Sequence, residues 1–110
     1  MRPIKKADGI IFAEDRTEEA FNSLPEEDWL KKSLKRAIDI LKENVFSGEK
    51  IRKELIPKEY IQKYNIDNLF WYRLPKGWRL VYSVVGNEIE VLAIIIEYFD
   101  HKNYERKFKY

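Results

Sequence analysis

The sequence predicts an α+β domain, with an N-terminal strand and a helical hairpin packed on a small antiparallel sheet. Helical periodicity fills much of the first half, strand-like segments dense in aromatic and β-branched residues follow residue 69, and short turn signals separate those segments. Ile10, Ile11 and Phe12 make a short β-prone run after Asp8-Gly9, a first strand. Thr17 opens a short helix, Thr-Glu-Glu-Ala-Phe-Asn-Ser-Leu, whose early acids suit the positive end of its dipole. Pro25, with Glu26, Glu27 and Asp28, starts a second helix in the same way. Leu30, Leu34, Ala37, Ile38, Leu41 and Val45 then share one face at helical spacing, with Lys31, Lys32, Lys35 and Arg36 expected on a solvated face and Ser47-Gly48 as the stop. Ile56-Pro57 breaks the following polar stretch, and a short helix is predicted over Lys58 to Tyr64. Three strands complete the chain, at Leu69 to Leu74, Trp78 to Val85 and Glu88 to Phe99, with turns at Pro75-Lys76-Gly77 and Gly86-Asn87 that predict an antiparallel meander.

A chain of 110 residues supports one core, so residues 1–110 are read as a single domain. It is 45% hydrophobic and 36% charged, which excludes both a disordered acidic tail and a polybasic strip. The absence of cysteine removes disulfide scaffolds, thiolate zinc sites and thiol nucleophiles, and the single histidine, His101, removes a multi-histidine metal site. No metal and no cofactor are expected, because phosphate-cradling glycine motifs are also missing. The longest wholly apolar run, Val91 to Ile96, is far short of the roughly 20 residues that span a bilayer, so a cytoplasmic protein is expected.

Charge is uneven in a way that matters for partners. Residues 1–55 carry 12 basic and 12 acidic side chains, whereas 56–110 carry 9 and 7. Arg73, Lys76 and Arg79 lie between Trp71 and Tyr82 with no acid among them, and Lys102, Arg106, Lys107 and Lys109 follow His101 against Glu105 alone. An anion is therefore expected to meet the second half. Period two places Trp71 and Arg73 together, opposite to Phe70, Tyr72 and Leu74, and sets Arg79 against Leu80 and Tyr82. A cationic, aromatic-lined sheet face follows if Leu74, Leu80 and Tyr82 point to the core.

Gly77-Trp78-Arg79-Leu80-Val81-Tyr82, followed by an apolar strand and then Asp100-His101-Lys102-Asn103-Tyr104, resembles the RelE/ParE superfamily of toxins. The order of strand, helical hairpin and antiparallel strands is similar to that family over nearly the whole chain. The resemblance implies the toxin of a type II toxin-antitoxin pair, a metal-independent, ribosome-dependent mRNA endonuclease that works by 2′-hydroxyl attack on the adjacent phosphate. It implies two partners, a protein antitoxin and mRNA on the ribosome. Carried over by position, Arg79 would hold the phosphate, Arg73 would share its charge, His101 would be the acid or base, and Tyr104 would order the base or the hydroxyl. Trp71, Lys76, Lys102, Arg106 and Lys107 would contact RNA. Trp71 stands where RelE-like members carry another lysine. The alternative is a non-catalytic ParE-like or degenerate toxin that acts by protein binding.

Each residue also has a plainer reading. Arg79 could pair with a cross-strand acid such as Glu90. His101 could be a solvated strand-end residue, Trp71 a core or partner-covered tryptophan, and Tyr104 and Tyr110 packing for a C-terminal tail. The cluster Glu26, Glu27 and Asp28 is read as helix-start electrostatics.

Overall fold

The computed structural model describes residues 5–86 and 90–108. The chain runs as β1 (Gly9–Phe12), α1 (Asp15–Ser23), α2 (Trp29–Glu43), a two-residue β2 (Glu49–Lys50), α3 (Lys58–Tyr64), β3 (Phe70–Arg73), β4 (Arg79–Gly86), β5 (Val91–Phe99) and α4 (His101–Phe108), with single 3-10 turns at Lys53–Leu55 and Pro75–Gly77. These make an α+β structure on one sheet of order β1-β5-β4-β3-β2. The meander β3-β4-β5 is antiparallel as expected, and β2 adds to β3 in the same sense. The sheet as a whole is mixed rather than antiparallel, because β1 lies parallel to β5, with Gly9 opposite Leu92. A helix and not a tight turn follows β1, so no hairpin fixes its direction. The turn at Asn87 and the predicted strand start at Glu88 lie outside the described residues.

The helical hairpin differs from expectation at its ends. The second helix begins at Trp29, not Pro25, because the Asp28 carboxylate accepts from the Leu30 amide at 2.8 Å and caps it. It closes at Glu43, before Ser47-Gly48, where the Asn44 side chain accepts from the amides of Lys5 and Phe46 at 3.1 and 3.0 Å and turns the chain. Leu30, Leu34, Ala37 and Leu41 are buried against one face of the sheet, which contributes Phe70, Leu80 and Ile95. Lys31 corrects the solvated-face reading: it is buried, its ammonium donates to the Phe21 carbonyl at 2.8 Å and lies 4.3 Å over the Phe21 ring. A cation here satisfies carbonyls at the negative end of α1.

The opposite sheet face is not the open surface that alternation suggested. It carries a second core of Ile51, Ile56, Tyr60, Leu69, Val81 and Ile96, closed by Tyr104 and Phe108 of α4. The final segment, expected as a tail packed by its tyrosines, is thus a helix, and its apolar residues fall on one side at helical spacing. Tyr110 lies outside the described residues. A β-bulge shapes this face, since Val81 pairs with Glu97 while Tyr82 pairs with Ile95. Ile96 is the extra residue, so Ile96 and Glu97 turn to the same side. Glu97 there accepts the hydroxyl proton of buried Tyr60. Burial and the Glu97 carboxylate both push the Tyr60 phenol well above its ordinary range.

Candidate phosphate-binding site

Arg73 ends β3 and Arg79 begins β4, and the register sets them directly opposite one another. Directly opposed residues of an antiparallel pair point to the same face, so two guanidinium groups share one stretch of sheet. Like charges in that position are destabilising unless an anion joins them. Among the described residues, neither arginine has a carboxylate partner; their contacts are with aromatic rings. The cross-strand partner of Arg79 on β5 is Phe99, at the far end of β4 from Glu90, so pairing with Glu90 does not occur.

Aromatic groups hold the nearer arginine. The Arg79 guanidinium lies 4.1 Å from the centroid of Trp71 and 4.3 Å from that of Tyr104, sandwiched between a strand residue and α4. Arg73 stands 5.8 Å from the same Trp71 ring. Cation–π contacts of this kind fix the guanidinium plane without neutralising it, and leave its N–H edge for a ligand. Tyr104 itself is wholly buried, stacked on Phe108 at 4.5 Å.

His101 opens α4 next to this pair. A Cβ on Gly77 would lie 3.3 Å from the His101 Cβ, and Gly77 has φ +78, so glycine serves both the turn and the close approach of α4. The imidazole is exposed, and its Nε2 is in direct contact with the Glu105 carboxylate one turn along the helix. That contact orients the ring. Lys76, in a left-handed conformation in the same turn, sends its ammonium 4.3 Å over the Trp29 ring, and Trp29 meets Trp78 edge to face.

The structure therefore brings Arg73, Arg79, Trp71, Tyr104 and the His101 helix start to one end of the sheet. It separates the remaining cations. Lys107 is paired with Glu59 at 2.6 Å, Lys76 rests on Trp29, and Lys102 and Arg106 are exposed on α4. Sequence reading missed Glu105 as the partner of His101, although spacing of four on a helix is the ordinary signal for it. It also missed Glu49, which pairs with Trp71 across β2 and β3, because a two-residue strand has no periodicity to detect.

A second polar cluster ties α3 down. Glu14 accepts from Lys63 at 2.8 Å and from the Tyr64 hydroxyl at 2.9 Å. The lysine bond, then the tyrosine bond, hold the Glu14 carboxyl below the usual carboxylate range, while burial and Glu14 push Tyr64 up. Among the described residues no group of three or more acidic, histidine or cysteine side chains could hold a metal ion. No described helix is long and apolar enough to cross a membrane. Comparison with protein-family models, with curated proteins and with solved structures finds no match for this chain.

Proposed function

We propose that this chain binds RNA phosphate through Arg73 and Arg79 and is a RelE-like toxin, a metal-independent endonuclease acting on mRNA at the ribosome. The observation that carries the reading is the facing pair of arginines without a carboxylate partner among the described residues, one of them clamped between Trp71 and Tyr104. Two facing guanidinium forks match the oxygens of a phosphodiester and would stabilise the charge that grows on them when a neighbouring 2′-hydroxyl attacks. His101, exposed beside the pair and oriented by Glu105, is the group that exchanges protons with the attacking or leaving oxygen. Tyr104 acts as the platform for Arg79 and not as a group that touches substrate, since it has no exposed surface. A protein antitoxin is the implied partner, and covering the arginine pair would suffice to silence the protein.

One observation favours the binding-only alternative. With Tyr104 buried, the chain's one histidine is left to serve both as base for the hydroxyl and acid for the departing oxygen. Addition of the protein to a translating extract, followed by primer extension on a reporter mRNA, separates the two. New 5′ ends that require Arg79 support the endonuclease; intact mRNA with arrested translation supports binding alone.

A further inference from the structure

We propose that a single-stranded RNA held at the arginine pair continues over the β3–β4 turn onto the first two turns of α2, where Lys32 and Arg36 bind further phosphates. The inference rests on the RNA-binding reading above and gives the RNA its path. Arg73 and Arg79 share one sheet face with Trp71, whereas α2 packs on the other, so the path has to cross the end of the sheet.

The crossing is short and carries a cation. Trp78 lies in extended backbone just before Arg79, so the two side chains leave opposite faces, and the Trp78 ring meets Trp29 on the α2 side at 6.0 Å. Lys76, exposed in the turn between the two strands, holds its ammonium 4.3 Å over the same Trp29 ring. Trp29 is the first residue of α2, so the turn cation and the helix start touch.

Helical spacing carries the positive charge on from there. Lys32 and Arg36 stand three and seven residues after Trp29, which places all three along one side of α2, and both cations are exposed. At about 1.5 Å per residue, Arg36 lies about 10 Å along the axis from Trp29. Like charges four apart on a helix repel, and among the described residues neither has a carboxylate partner, whereas Lys35 between them is paired with Glu26 at 3.1 Å. The row ends where acids enter the helix, with Asp39 paired to Lys42 and Glu43 to Lys6. A row of cations leading away from a phosphate site fits a polymer with one negative charge per residue, and it positions that polymer without reading its bases.

Uridine oligomers with 2′-O-methyl groups test this, because they lack the attacking hydroxyl and stay whole. Tryptophan fluorescence across a salt series follows binding of a dodecanucleotide and of a dinucleotide, which has one phosphate, to the full chain. The variants are the double variant Lys32→Ala, Arg36→Ala, then Lys42→Ala at the other end of α2, and Arg79→Ala; the three α2 positions are exposed, where alanine favours the helix. The double variant should bind the dodecanucleotide with a slope of log K against log salt shallower by about 1.4, about 0.7 for each lost contact. Its dinucleotide binding should equal that of wild type. Lys42→Ala should match wild type with both oligomers, and Arg79→Ala should weaken both. A double variant that binds the dodecanucleotide as wild type does, or a Lys42→Ala slope that flattens by about 0.7, overturns the α2 path and leaves the arginine site standing. Binding of both oligomers by Arg79→Ala as tight as that of wild type overturns the arginine site and the path with it.

Discussion

Phe108 offers the sharpest test of how the C-terminal helix serves the site. Its ring is buried, stacks on Tyr104 at 4.5 Å, and meets Tyr60 and Phe99 edge to face at 6.4 and 6.5 Å. Phe108→Ala removes a ring from among three aromatic neighbours and opens a cavity that Tyr60 and Tyr104, themselves held by packing, cannot fill. Buried phenylalanine truncations cost about 3–5 kcal/mol, against a total stability of about 5–15 kcal/mol for ordinary domains. For a chain near this size each kcal/mol lowers the melting temperature by about 4–8 °C, so a fall of roughly 12 °C or more is expected. Urea unfolding followed by near-ultraviolet circular dichroism measures it directly. Because Tyr104 carries one side of the Arg79 clamp, RNA affinity should fall as well under conditions where the variant is still folded. Phe108→Leu, which keeps most of the volume, should lose clearly less. A loss below about 1 kcal/mol for the alanine variant would refute the reasoning, since it lies far under the about 3–5 kcal/mol that buried phenylalanine truncations cost.

Lys31→Met keeps the apolar stem but removes the ammonium from the Phe21 carbonyl, and should cost about 1–3 kcal/mol in denaturant unfolding. Gly48→Ala should cost about 1–3 kcal/mol and detach β2 from β3, visible as lost amide protection at Glu49 and Lys50, because the added methyl meets the Trp71 carbonyl. Tyr60 and Tyr64 have folded-state pKa values raised above that of an unfolded tyrosine, so their contribution is intact below about pH 10 and lost as pH climbs beyond it. Stability measured between about pH 9 and pH 11 should therefore decline, and the double variant Tyr60→Phe, Tyr64→Phe should show a shallower decline from a lower starting value. Arg79→Lys should recover only part of the RNA affinity lost in Arg79→Ala, since an ammonium keeps the charge but not the planar fork that lies between Trp71 and Tyr104.

Local pattern explains which parts of the molecule were readable in advance. The stripe Leu30, Leu34, Ala37 and Leu41 gives α2 directly, because it buries one face against a single core, and the alternation around Arg79, Leu80 and Tyr82 gives β4. Arg73 and Arg79 fall on one face by the same rule. Alternation gives a face but not what covers it, and the second core over Val81 and Ile96 arises from contacts between α3, α4 and the sheet that are remote in sequence. His101, Tyr104, Glu105 and Phe108 do have helical spacing, yet so short and basic a segment reads as a tail laid on the sheet unless the helix's partners Phe99 and Tyr60 are known. The bulge that turns Glu97 toward Tyr60 is a register property of the β4–β5 pair, and no residue type marks it.

The central claim is that Arg73 and Arg79, facing each other across β3 and β4 without a carboxylate partner among the described residues, bind RNA phosphate. The most direct measurement is the salt dependence of single-stranded RNA affinity for wild type, Arg73→Ala, Arg79→Ala and the double variant. Each phosphate contact to a single strand contributes about −0.7 to the slope of log K against log salt concentration. The account predicts that each alanine variant binds more weakly with a slope shallower by about 0.7, and that the double variant loses about twice that. Affinities and slopes that coincide with wild type in all three variants would contradict it.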